Sequence, residues 1–224
     1  MKLTALERSW ALYDVGNSAF VLMVSTIMPI YFKNLTSTAG VADYTSTAWW
    51  SYAVAISTLL AAVLGPTLGH VADKCRWKRG LYALFVVGGA STCALLGFSP
   101  TWLVFLVVFV LGKVFFSTSL VFYDSMLPDV TTAERVDMVS STGYAWGYLG
   151  SCIPFVACLV LVLTAEQTGL GMARAIPIAF LITAVWWLGL GLPLYRRYRQ
   201  THSSTGGTAG LSELAGVLRE IARG

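Results

Sequence analysis

Six apolar stretches follow one another along the 224 residues, at positions 10–32, 48–71, 80–98, 102–126, 143–163 and 176–194. A helix crossing a hydrocarbon layer about 30 Å thick needs roughly 20 mostly apolar residues, and inside lipid a helix satisfies its own backbone polar groups. Each stretch is close to that length, so the pattern predicts an all-α, polytopic membrane protein with six transmembrane helices. The segments between them are short and polar, at 34–47, around Ser99 and Pro100, and at 165–173 on one side. They leave no room for a soluble domain. After Leu194 the pattern changes: Arg196, Arg197 and Arg199 close the sixth stretch, and 202–210 reads as a Ser/Thr/Gly linker. Leu211, Leu214, Leu218 and Ile221 then recur at helical spacing, which fits either a short amphipathic helix on the membrane surface or a polar tail. The domain division expected is a six-span bundle over 1–199 and a linker with a short amphipathic helix over 200–224.

Composition agrees with the pattern: 56% of residues are hydrophobic, 12% are charged, and the mean hydropathy is +0.70. The basic residues set the orientation. Lys2, Arg8, Lys74, Arg76, Lys78, Arg79, Arg135, Arg196, Arg197 and Arg199 fall on one side, Lys33 and Arg174 on the other. Positive charge is retained in the cytoplasm, so a multi-pass protein of the cell membrane, an inner membrane in a bacterium, is expected with both termini cytoplasmic. The net charge of +4 is then explained by anionic headgroups and calls for no nucleic acid. The first stretch is too long for a cleavable signal, carries Asp14 and Asn17, and has no small-residue cleavage site. Cys75, Cys93, Cys152 and Cys158 lack metal-type spacing and read as free thiols.

Charge inside the apolar stretches is the candidate chemistry. An ionised side chain in mid-membrane costs about 3 kcal/mol on insertion scales unless it faces water or a partner. Asp14, Asn17, Ser18 and Ser25 fall within one stripe of the first helix, and Lys113, Ser117 and Asp124 within one stripe of the fourth. Two polar stripes imply a shared aqueous cavity. By helical rise, Lys113 lies about 10 Å deeper than Asp14 and about 16 Å from Asp124, so a direct Asp14–Lys113 salt bridge is not required. Two carboxylates on one cavity would raise each other's proton affinity, which suits proton coupling. The bland alternatives are that Asp14 orients its helix start and Asp124 sits in interfacial water. Small residues at Gly65 and Gly69, and at Gly143, Gly147 and Gly150, permit close helix approach, while Pro29, Pro66, Pro154, Pro177 and Pro193 fit kinks or helix ends.

The loop after the second stretch reads Gly69-His-Val-Ala-Asp73-Lys74-Cys-Arg76-Trp77-Lys78-Arg79 and resembles the Gly-x-x-x-Asp-Arg/Lys signature of the major facilitator superfamily. Arg76 and Trp77 stand where that family often has Gly and Arg. Three further stretches are similar to the branch of bacterial permeases related to fungal autophagy-type vacuolar amino-acid effluxers. They are Trp10 to Phe20, Phe122-Tyr123-Asp124-Ser-Met-Leu127-Pro128-Asp129, and Ser141 to Gly150. The family often has Asn where this chain has Asp124, and Arg where it has Lys113.

The resemblance covers 7–199 and implies the N-terminal six-helix half of a twelve-helix transporter. It further implies a secondary active permease of small polar solutes, such as amino acids, working by alternating access. The pathway would comprise Asp14, Asn17, Ser18, Lys113, Ser117, Tyr123 and Asp124. Gly69, Asp73, Lys74, Lys78 and Arg79 would form the conformational loop, and a second six-helix half, from the same gene, a second copy or a partner chain, would complete the cavity. No cofactor, metal or enzymatic activity is expected. A membrane assembly module or half-transporter is the alternative. An intramembrane enzyme is disfavoured because the only histidines are His70, near a loop, and His202, in the linker, so neither a Ser-His pair within the bilayer nor a His-based metal site has support.

Overall fold

The computed structural model describes residues 2–202. Its helices are α1 (Ala5–Ser25), α2 (Ile27–Thr38), α3 (Asp43–Cys75), α4 (Lys78–Leu96), α5 (Trp102–Ser125), the single turn α6 (Leu127–Val130), α7 (Val136–Leu163) and α8 (Met172–Arg197), with a 3-10 turn at Ala133–Arg135 before α7. Among the described residues, six helical segments are long and apolar enough to cross a membrane, α1 and α2 together making the first. The protein is an all-α polytopic membrane protein. The amphipathic tail expected at 211–221 lies outside the described residues.

The first span is broken where its hydrophobic pattern is continuous. Thr26 leaves helical geometry at φ −130° and ψ −75°. Ser25 Oγ and Thr26 Oγ1 donate back to the carbonyls of Val21 and Leu22, at 2.9 and 2.5 Å, competing with the backbone ladder. Pro29 lacks an N–H and its ring would crowd the carbonyl of Ser25 in a continuous helix; placed in the first turn of α2 it breaks no bond. Three other helices run longer than their apolar stretches, α3 beginning at Asp43, α7 at Val136 and α8 at Met172.

Helices pack pairwise in a row: α3 on α5, α5 on α4, α4 on α8, α8 on α1, and α1 on α7. The row curves, because α1 faces α5 across large aromatic side chains. Trp10 stacks on Tyr123 with centroids 4.2 Å apart, and Phe20 packs between Phe116 and Trp187. The helices α3 and α7 stand at the two ends of the row, and the unpaired faces of α1 and α5 look out between them.

Glycines decide how closely the row packs. At Gly89 a methyl group would overlap the six-membered ring of Trp187, which is fully buried; at Gly150 it would overlap Val15. Gly65 and Gly69 of α3 both approach Val121 of α5, where added Cβ atoms would sit 2.9 and 3.6 Å from its methyls. Gly89→Val should lower stability by about 1–3 kcal/mol, the usual penalty for overpacking a filled core. Unfolding in mixed detergent micelles measures this, with Gly80→Ala, whose added Cβ meets nothing within 4 Å, as the unchanged control.

Candidate functional site

One end of the bundle carries most of the basic residues, and here every buried carboxylate is saturated. Glu7 is 2% exposed. It closes the capping box of α1 with Thr4, accepts from Thr131 Oγ1 at 2.7 Å, and accepts from Arg135 Nε at 2.9 Å and Nη2 at 2.7 Å. Removing one partner of so buried a pair costs about 3–5 kcal/mol. Arg197 approaches α1 from α8, donating to Ser9 Oγ at 2.8 Å and to the carbonyl of Ala5 at 3.2 Å.

The side chain of Asp129 is only 1% exposed and gathers the segment that leaves α8. Tyr198 Oη donates to one oxygen at 2.5 Å. The other accepts from the Thr201 amide and hydroxyl and from the His202 amide and Nδ1.

The loop between α3 and α4 joins the same assembly. Lys78, itself buried, pairs with Asp73 at 2.8 Å and donates to the carbonyl of Ser125 at 3.1 Å. Gln200 donates to the backbone carbonyl of Asp73 at 3.2 Å. Arg79 lies over the Tyr195 ring, 4.4 Å from its centroid, and Lys74 occupies the last turn of α3. The corner from Ser125 to Arg135 is therefore a hub reached from α1, from the α3–α4 loop and from the exit of α8.

Deeper in the bundle the pattern reverses. Asp14 is half-buried, and its one side-chain hydrogen bond is a long one, 3.4 Å, from Asn17 Nδ2. Lys113 is half-buried with its ammonium 5.4 Å from the Phe116 ring, and Asp124 is exposed. None of the three forms an ion pair among the described residues; in particular Asp14 does not reach Lys113. Tyr13 Oη is bonded to Ser119 Oγ at 2.6 Å, which sets the register of α1 against α5. That register places Asp14 between Asp124 and Lys113, each roughly 8 Å away along the axis.

Ser18 lies with Asp14 against Gly147 of α7, and Ser117 is half-buried on the Lys113 face. Tyr123 is buried at 3% exposure beneath Trp10, which donates from Nε1 to its carbonyl at 3.1 Å, yet the Tyr123 hydroxyl finds no partner. Among the described residues no three His, Cys, Asp or Glu side chains converge as a metal site would need.

The family profile described as vacuole effluxer Atg22 like matches residues 42–221. The chain belongs to this family. It is also 37% identical over 206 residues, 90% of its length, to a Bacillus subtilis (strain 168) protein named as the uncharacterized MFS-type transporter YxiO. The match covers 48% of that relative, so the chain spans about half its length. The six apolar helices fit one half of a major facilitator fold, as the resemblance of its motifs implies.

Within this Atg22-like chain the departure at Arg76 has a structural basis. Arg76 caps α3 with left-handed backbone, φ 58° and ψ 37°. Glycine adopts that conformation without strain, so the glycine that the motif's resemblance implies at this point would fit this backbone. Sequence reasoning missed Glu7 and Asp129 as anchors. The spacing Thr4-x-x-Glu7 carried the first as a capping box; nothing local announced that Asp129 would meet residues about 70 positions later.

Burial alone would raise the Asp129 carboxyl, but hydrogen bonds from Thr201, Tyr198 and His202 outweigh it and hold the group at about 2, below its ordinary 3.8. A folded value below the unfolded one contributes stability that is complete above the ordinary value and is lost as pH falls through the folded value. Amide exchange at Thr201 and His202, corrected for intrinsic rates, should therefore stay protected down to about pH 4 and lose protection toward pH 2. In Asp129→Ala the protection should be absent at every pH.

Proposed function

We propose that the chain forms one half of a secondary active transporter that moves small polar solutes across the cell membrane by alternating access. Its termini lie on the cytoplasmic side, where the basic end meets anionic headgroups. Asp124, Asp14 and Lys113 mark the pathway, with Asn17, Ser18, Ser117 and the free hydroxyl of Tyr123 beside them. The observation that carries this reading is that, among the described residues, these three charges have no counter-ion, while the carboxylates of the basic end are fully bonded. Unpaired charge at membrane depth is tolerated where it faces water or a solute. The two neighbouring carboxylates suit coupling to a proton.

A second six-helix half completes the cavity, closing the gap between α3 and α7. In support, α3 exposes Tyr52, Ile56, Leu59 and Val63, and the matched relative is about twice as long as the chain. Gly69, Asp73, Lys74, Lys78 and Arg79 act as the conformational loop. Through Lys78 and Gln200 this loop reports to the α5–α7 corner, so its movement is shared by the whole basic end.

In proteoliposomes, Asp14→Ala and Lys113→Ala should each reduce uptake of radiolabelled small polar solutes to the level of protein-free vesicles, with unchanged size-exclusion profiles. Uptake equal to that of the parent chain would remove the assigned roles. Cysteines placed at 14 and 113 in a chain otherwise lacking cysteine should react with an impermeant maleimide in at least one state. Protection of both in every state would sink the permease reading.

A further inference from the structure

The helix α7 presents two unlike exposed flanks. Ser141, Tyr144, Tyr148 and Cys152 lie on one side of its packed glycine face, and Leu149, Ile153 and Val160 on the other. At 100° per residue, Tyr144 and Tyr148 stand roughly 60° and 100° around the helix from Gly147. The apolar flank matches lipid. The tyrosine flank lies next to the face that meets Asp14, because a Cβ at Gly147 would sit 3.2 Å from Asp14 Oδ2.

The two tyrosines are 63% and 61% exposed, yet they are held together: their rings meet edge to face with centroids 4.7 Å apart, and their hydroxyls are bonded at 2.9 Å. The mutual bond uses one hydroxyl hydrogen and one lone pair, and beside it the exposed rings offer their surface. Ring faces carry negative potential and attract poorly hydrated organic cations. Asp14, with lone pairs unused beyond its long bond to Asn17, supplies a formal negative charge and acceptors for N–H groups.

We propose that Tyr144, Tyr148 and Asp14 form a subsite for the alkylammonium group of an amine-bearing solute, an assignment that rests on reading the gap between α3 and α7 as the transport cavity. The rings and the carboxylate repel a carboxylate or phosphate. A protonated primary amine satisfies both walls at once, with its N–H groups on Asp14 and its C–H surface on the rings.

The test uses the full chain in lipid nanodiscs with carbon-13 in the tyrosine rings, titrated with n-butylammonium chloride at ionic strength matched with sodium chloride. The Tyr144 and Tyr148 resonances, assigned by single Phe variants, should shift saturably, and uncharged n-butanol should leave them unmoved. The double variant Tyr144→Leu, Tyr148→Leu and the variant Asp14→Asn should each weaken binding about tenfold or more, followed in the Leu variant by a label on Asn17, whereas the double Phe variant keeps most of it. A shift without saturation, an equal response to n-butanol, or full binding by the Leu variant would overturn the subsite. The n-butanol comparison needs no substitution, so a variant that does not fold leaves a decisive result. Saturable butylammonium binding with no solute flux would discard the permease reading and keep the subsite. Solute flux with no tyrosine response would do the opposite.

Discussion

A polar group removed from water must find a partner or keep a wet face, and lipid enforces that rule more strictly than a soluble core does. This chain obeys it in two ways. At the basic end, Glu7 and Asp129 each collect several donors, and Asp73 holds a buried lysine. Farther in, Asp14 and Lys113 are left with a weak amide contact and an aromatic ring, and Asp124, next to the hub, is left exposed. The first group binds helices to one another. The second, among the described residues, meets no ion-pair partner.

Both groups act through α1. Its outer turn is held by Arg135 from the α5–α7 corner and by Arg197 from α8, and its middle rests on the glycine face of α7. Asp14 is thus carried on a helix fixed from three sides. Trp186 of α8 adds a bond from Nε1 to the carbonyl of Val15, one residue beyond Asp14, at 3.2 Å. Such a helix moves only with its neighbours. A bundle that moves as a unit is what alternating access by rocking one half against another demands. The hub at 125–135 extends the same rigidity to the α3–α4 loop.

The six helices, their order and their charged residues were legible because length and hydropathy alone decide what spans lipid. The break at Thr26 was not, since Ser25 and Thr26 look like part of a polar stripe until their hydroxyls turn back onto the helix carbonyls. Asp14 and Lys113 could be singled out from cost, and helical rise gave their offset in depth. Pairing could not be read in this way. That Lys78 and Gln200 meet Asp73, or that Tyr198, Thr201 and His202 converge on Asp129, depends on which helix ends become neighbours. A single sequence does not contain that information in local form. The glycines of α7 read only as a generic packing stripe, although one of them positions a carboxylate.

The helix α7 makes that last point concrete. It interleaves two series at i, i+4 spacing, Gly143-Gly147-Ser151 and Tyr144-Tyr148-Cys152, offset by one residue and so by about 100°. The first series must face α1, because Trp10, Asp14 and Ser18 occupy the space where its missing side chains would be. Once that contact is made, the second series has no freedom of direction and stands beside Asp14. A methyl group at Gly147 would press on Ser18 and Asp14, 3.1 and 3.2 Å from its Cβ. The absence of a side chain at 147 therefore lets α7 close on α1 at Asp14, and that contact fixes which flank of α7 the two tyrosines occupy.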